Sequence, residues 1–194
     1  LIVAPFLKRA IPEAVWRERV CLVVHPGIPG DRGPSALDWA IMNGETEWGV
    51  TVLQANAVMD GGDILATRSF PMRAARKSSL YRNEVTEAAT AAVLEAVEKF
   101  EQGNFKPTPL DYANPAVRGS ERPLMKQTER RIDWARDDTA TVLRKLRASD
   151  SFPGLADRIA GVDCWLFNAH PEATLRSAQP GAIIAQRQGA LCRA

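Results

Sequence analysis

CLVVHPGIPGDRGPSALDWAIMNGETEWGVTVLQANAVMDGGDIL, Cys21 to Leu65, is the stretch on which the reading of this chain turns. CLVV is a continuous apolar, β-prone run and predicts a short buried strand, with His25 where it stops. PSALDWAIMNGE predicts a helix: Pro34 suits an early helical position, Leu37, Ile41 and Met42 supply apolar spacing, and Gly44 ends it. WGVTVLQA is the next strand, and NAVMDGGDIL a loop with Asp60 just before Gly61-Gly62. With both strands in one parallel sheet, His25 and Asp60 would emerge at the same edge, where open α/β sheets bind ligands. An acid beside an imidazole orients the ring and favours its protonated form. Taken singly, His25 reads as a satisfied core side chain and Asp60 as an ordinary turn aspartate. Their shared position raises the pair to a candidate site.

The loop from Pro26 to Gly33 contains Gly27, Gly30 and Gly33, which permit close backbone approach to a ligand. No GxGxxG or P-loop pattern occurs, so a phosphate cradle is not indicated. Arg32 either reaches a phosphate or carboxylate or pairs with Asp31 or Asp38. Upstream, LIVAPF opens as a strand and a Pro turn, and Ile11 to Val20 predicts a helix with Pro12 near its start. Downstream, ILATRSFPM predicts a strand. Lys77 to Gln102 predicts a long helix with Ser78 or Ser79 as N-cap and Gly103 as its stop. Leu80, Val85, Ala88, Ala92, Leu94 and Val97 would form the face that packs on the sheet. Strands at 1–4, 21–24, 48–55 and 64–70 are expected in one sheet, the first three parallel.

Residues 104–124 carry Pro107, Pro109, Pro115 and Pro123 and little periodicity, which predicts a linker or an extended wrap. A second unit begins near Met125. It holds Arg131-Ile132-Asp133-Trp134, a helix from Asp138 to Ala148 capped by Asp137 or Asp138, a Phe152-Pro153-Gly154 turn, and strands at Cys164–Ala169 and Ala182–Arg187. His170 has no partner acid at a telling spacing and reads as a surface residue.

The 194 residues suffice for one or two domains with a real core. The net charge of +2 is too small to argue for nucleic acid. Its distribution is 12 Lys/Arg against 14 Asp/Glu through Val117, then 13 against 9, which fits a solvated face better than a nucleic-acid footprint. Cys21, Cys164 and Cys192 form no CxxC pair, which favours a reduced cytosolic thiol set over a disulfide framework or a zinc site. No metal site, membrane span or signal peptide is visible, and a cytoplasmic location is expected. The chain opens at Leu1 without Met and closes in what reads as a strand, which suggests a piece lacking material at both ends.

Val23-Val24-His25-Pro26, Asn43-Gly44-Glu45, Gly49-Val50-Thr51 and Met59-Asp60-Gly61-Gly62 together resemble the folate-dependent formyltransferases. The family's pattern is Asn-x-His, a Pro-rich loop, a helix ending in an N-G turn, a G-V/T-T strand and an L-D-T/G-G loop. Within it, His25 to Gly44 is most similar to the formyltransferase-like part of hydrogenase maturation proteins of the HypX/HoxX type. The resemblance implies an α/β fold: a Rossmann-like, mostly parallel sheet, followed by a small formyltransferase C-terminal-like α+β domain. Its implied boundaries are a catalytic domain at 1–105, a Pro-rich linker at 106–124 and a C-terminal-like domain at 125–194, truncated at the outer ends.

The resemblance further implies His25 and Asp60 as catalytic residues. It implies folate-binding loops at Pro5, Phe6 and Leu7 and at Asn56, Ala57 and Val58. Acceptor-side candidates are Gly27, Arg32 and Ser35. The one-carbon donor would be 10-formyltetrahydrofolate, and the acceptor coenzyme A. A hydratase-like domain further along the parent chain would be a partner, supplying carbon monoxide for nickel–iron hydrogenase. A tRNA or sugar-nucleotide formyltransferase and a non-catalytic folate-binding module remain as alternatives. One position departs from the pattern: Val23 stands where the family has an Asn, so the usual side-chain donor to the oxyanion is missing.

Overall fold

The structure is a computed structural model that describes residues 1–150, 153–177 and 179–194. It divides into two units, Leu1–Met125 and Lys126–Ala194. In the first unit the apolar runs of the sequence become the sheet. Strands β1 (Ile2–Pro5), β2 (Cys21–His25), β3 (Glu47–Gln54) and β4 (Ile64–Pro71) lie side by side in chain order. Trp48, Val50, Val52, Leu22 and Val24 are all but fully buried and form its centre.

The directions differ from the sequence expectation. β1 and β2 are parallel, but β3 runs antiparallel to β2, with Leu22 opposite Gln54 and His25 opposite Thr51, and β4 is antiparallel to β3. The sheet is therefore mixed rather than mostly parallel in these residues. An apolar run specifies burial and period, and it carries no information on the direction of its partner.

Helix α1 (Glu13–Trp16) is a single turn after Pro12, shorter than the expected Ile11–Val20, because the chain must turn into β2 at Cys21. Helix α2 (Ala36–Asn43) ends as expected at Gly44, whose φ of +69° is the left-handed conformation that glycine adopts without strain. The long helix is continuous through α3 (Lys77–Leu80), a π turn (Tyr81–Val85) and α4 (Thr86–Glu101), and Gly103 follows it at φ +69°. Its N-cap is Arg76, with no side-chain cap bond, instead of Ser78 or Ser79. Those serines lie inside the first turn, and Ser79 Oγ accepts from Arg73, which also pairs with Glu84.

The π turn closes with Thr86 Oγ1 donating to the Tyr81 carbonyl at 2.6 Å. Beyond it, Val85, Ala88, Ala89, Ala92 and Ala96 are buried, and α4 contacts β3 and β4. Leu94, expected on that face, is 59% exposed. Two residues on from Ala92, it points about 200° around the helix from the buried stripe.

In the second unit, Asp138 caps helix α5 (Thr139–Ala148), its carboxylate accepting from Thr141 N at 2.7 Å. Ile132, Leu146 and Leu155 make the core, with Trp134, Val142 and Leu166 against it. Strands β5 (Leu155–Ile159) and β6 (Val162–Leu166) form one hairpin, and β7 (Ile183–Arg187) and β8 (Ala190–Arg193) another. The sequence pattern does not show β5; β8 is the strand in which the chain closes, and β6 begins and ends earlier than Cys164–Ala169. Trp134 Nε1 and Arg193 both bond Asp157, at 3.0 and 2.8 Å, and the guanidinium lies 3.7 Å from the indole centroid. Phe152 of the expected Phe152–Gly154 turn lies outside the described residues.

Tyr81 supplies a pH test of this packing. Burial, reinforced by the charge on Asp38, pushes its phenol up to about 12. The fold favours the neutral phenol, so its contribution to stability is complete below the ordinary value of about 10 and is lost as pH rises through the folded value. Phenolate absorbance should show a late step near pH 12 that Tyr81→Phe removes.

Candidate active site

The site is built on the last residue of β2. Side chains alternate along a strand, so Val23 and His25 share one face of the sheet. Because β3 is antiparallel, its end lies beside the start of β2, and Ala55 N bonds the Cys21 carbonyl at 2.8 Å. The loop after β3 must therefore double back over the Val23–His25 face to bring Asp60 to the histidine. Asp60 makes that reversal in the left-handed region, at φ +52°. Its Oδ2 stands 3.4 Å from His25 Nδ1 and accepts the Gly33 N–H at 3.2 Å. His25 and Asp60 are thus brought together, by a route other than the shared parallel edge.

The other ring nitrogen is also engaged. His25 Nε2 lies 2.9 Å from Asp31 Oδ1, and both side chains are buried. Asp31 follows His25 by six residues in the glycine loop, and the sequence reading weighed it only as a partner for Arg32. Its signal was a carboxylate between two glycines close to the histidine. Asp31 Oδ2 is buried without a hydrogen bond, and Arg122 Nε is 3.8 Å from it.

β3 and the proline-rich segment hold this loop in place. Trp48 Nε1 donates to the Pro26 carbonyl at 3.0 Å, and the buried Thr51 hydroxyl to the Gly27 carbonyl at 2.7 Å. Residues 112–125 run along the loop and α2 as an extended wrap. Arg32 N bonds Ser120 O at 3.2 Å, Arg122 N bonds Arg32 O at 2.9 Å, and Trp39 Nε1 bonds Pro123 O at 2.9 Å. A Cβ on Gly33 would lie 2.1 Å from the Arg122 carbonyl, and one on Gly119 would lie 1.9 Å from Asp31 N.

The remaining candidates divide. Leu7, Asn56 and Val58 line one groove with Val23, Met59 and Asp60. Asn56 Oδ1 accepts the Val58 N–H at 2.8 Å, and Ala57 lies between these two residues in the same loop. Pro5 and Phe6 turn away from that groove to a separate apolar hollow with Val3, Val24 and Ala89. Phe6 has φ +53° and sets its ring edge-on to Tyr81 at 5.9 Å.

On the acceptor side, Gly27 abuts the histidine: a Cβ there would lie 2.4 Å from His25 Nε2. Arg32 pairs with Glu121 at 2.9 Å and sits 5.6 Å from the Tyr112 ring, so neither Asp31 nor Asp38 is the partner of its guanidinium in these contacts. Ser35 is buried and its hydroxyl accepts the Met125 N–H at 3.1 Å, a structural use. Among the described residues no group of three or more His, Cys, Asp or Glu is placed to hold a metal, and no helix is long and apolar enough to cross a membrane. His170 is exposed.

A mixed sheet with a buried histidine at a strand end, an aspartate returned to it by a glycine loop, and a small second unit defines a class. Residues 1–97 match the formyl transferase family and residues 124–192 its C-terminal domain; the chain belongs to the formyltransferase family. It is 56% identical over its whole length to a hydrogenase maturation factor HoxX of Bradyrhizobium diazoefficiens, of which it covers 34%. The crystal structure of Aquifex aeolicus HypX in complex with tetrahydrofolic acid matches 99% of this chain and 33% of that one, at 54% identity and a TM-score of 0.89. A methionyl-tRNA formyltransferase of Desulfotalea psychrophila is 32% identical over 88% of this chain and 52% of its own. The chain thus spans about a third of the HoxX and HypX relatives it matches.

Glycine substitutions test the wrap. Gly33→Ala must relieve both a φ of +115° and the contact with the Arg122 carbonyl, whereas Gly103→Ala, at φ +69°, meets nothing within 4 Å. Backbone strain alone costs about 1–3 kcal/mol. Urea unfolding should show a larger loss for Gly33→Ala than for Gly103→Ala. Equal losses would remove the wrap from the account of loop stability.

Proposed function

We propose that the first unit carries a formyl-transfer site that takes the one-carbon group from 10-formyltetrahydrofolate, with His25 and Asp60 as the catalytic pair. The observation that carries this reading is the imidazole held at the end of β2, with Asp60 3.4 Å from Nδ1, beside a groove lined by Leu7, Asn56 and Val58. The similarity to a HypX that binds tetrahydrofolic acid supports folate as the donor.

In this reaction the attacking atom loses a proton, the leaving nitrogen gains one, and a tetrahedral oxyanion forms between. An imidazole serves both proton steps, because its ordinary value of about 6.5 lets it take and give a proton near neutrality. Asp60 fixes the ring. The oxyanion needs donors aimed at it, and Val23 offers none. The glycine-loop N–H groups and the histidine ring have to carry that charge.

The acceptor in this reading is coenzyme A, and the product feeds carbon monoxide supply for nickel–iron hydrogenase maturation. A thiol demands less of the base than an amine does, which suits a site without the Asn donor. The hydrogenase-maturation relatives support this reading over a tRNA or sugar-nucleotide acceptor. A second reading, a non-catalytic folate-binding module, is favoured by Val23 and opposed by the buried His25–Asp60 pair.

His25→Ala should lower formyl-CoA formation by about 10²–10⁴-fold while leaving folate affinity nearly unchanged. Asp60→Asn should remove much of the same activity, and the double variant should be little worse than the worse single one, as for residues that act as a unit. Val23→Asn restores the family's donor and should favour an amine acceptor if the amide reaches the formyl oxygen. Unchanged turnover in a well-folded His25→Ala protein would remove His25 from the chemistry, and folate binding without any turnover in the unmodified protein would select the non-catalytic module.

A further inference from the structure

The buried carboxylate of Asp31 is unexplained by a His25–Asp60 pair. It is 1% exposed, more deeply buried than His25, and it approaches Nε2 more closely than Asp60 approaches Nδ1, at 2.9 against 3.4 Å. A bare ring nitrogen and a carboxylate oxygen are both acceptors and repel. At hydrogen-bond distance a proton must lie between them.

The second oxygen, Oδ2, has no hydrogen bond, and the nearest cation, Arg122 Nε, stops at 3.8 Å. The carboxylate has little freedom to find another partner. Gly119 presses on the Asp31 backbone, and a Cβ on Gly27 would lie 2.7 Å from Oδ1. The loop thus holds Oδ1 against Nε2, on the side of the ring opposite Asp60.

We propose that Asp31 is a third member of the site, a positioning residue: through Oδ1 it holds a proton on His25 Nε2 and so leaves the proton exchange of the reaction to Nδ1, on the side of Asp60 and the groove. The inference rests on the formyl-transfer reading above. As the acceptor's heteroatom bonds to the formyl carbon, its proton passes to Nδ1. As the carbon–N10 bond breaks, Nδ1 returns one proton to N10, so the proton count of the ring is restored.

Two measurements test it. The sequence has two histidines, His25 buried and His170 exposed, so nitrogen NMR of protein grown on isotope-labelled histidine separates them. His25 Nε2 should carry a proton in the unmodified protein. In Asp31→Leu no acceptor faces Nε2, and the proton should move to Nδ1. The same variant should lower kcat for formyl transfer by about 10²-fold or more, with the Kd for tetrahydrofolate unchanged. A bare Nε2 in the unmodified protein overturns the pairing without any variant, which covers the case in which Asp31→Leu does not fold. Unchanged kcat in folded Asp31→Leu overturns the positioning role. Absence of formyl transfer in the unmodified protein overturns the formyl-transfer reading, whereas the NMR result is read without turnover.

Discussion

One imidazole held between two carboxylates governs the architecture of the first unit. Burying charge is costly unless each group finds a partner, and breaking a buried pair costs about 3–5 kcal/mol. His25, Asp31 and Asp60 meet that condition only together, with Nε2 at 2.9 Å from one acid and Nδ1 at 3.4 Å from the other. Each acid sits on its own loop, so both loops must be held against the strand end that carries the histidine. The Gly33 N–H that bonds Asp60 links the two loops directly.

That demand explains the use of glycine and of the proline-rich segment. At Gly33 a side chain would strike the Arg122 carbonyl, and at Gly119 it would strike Asp31 N. The segment from Tyr112 to Met125 has little secondary structure of its own and satisfies its backbone partly through the Pro26–Gly33 loop, Ser35 and α2. Extended chain of this kind contributes order to a loop that glycines would otherwise leave with high conformational entropy. Trp48 and Thr51, side chains of β3, hold the first two residues of the same loop from the other side. The site therefore depends on a strand, a helix and a segment that share no local sequence pattern.

Position 23 gives this geometry its chemical interest. Val23 lines the groove beside Asp60 and presents no donor to an oxyanion. A buried amide there without a partner would destabilise the strand, so an apolar residue suits the face unless a ligand oxygen is within reach. In the proposed reaction the charge that the family's Asn would share falls to backbone N–H groups and to the ring, beside which both acids stand.

The sequence by itself determined the strands around His25 and β4, the helix ended by Gly44, the long helix stopped by Gly103, a cap at Asp137 or Asp138 and the pairing of His25 with Asp60. Each of these is written in local pattern: a run of β-prone residues, a glycine at a left-handed position, a capping acid, or a motif matched residue by residue. Strand direction was not legible, since the apolar run Val50–Leu53 serves a parallel or an antiparallel partner equally well. Nor was the exposure of Leu94, which depends on the helical phase of the face that meets the sheet. Asp31 was in view but its partner was not: a carboxylate six residues from a histidine is local in sequence, and only the closure of the loop by Gly119 and Arg122 turns it toward Nε2. Residues 119–122 read as linker or extended wrap because they lack periodicity and an apolar face, and nothing in them names what they wrap. Tertiary structure alone decided their role, because backbone hydrogen bonds to a loop some ninety residues earlier leave no pattern in the side chains that sequence reading relies on.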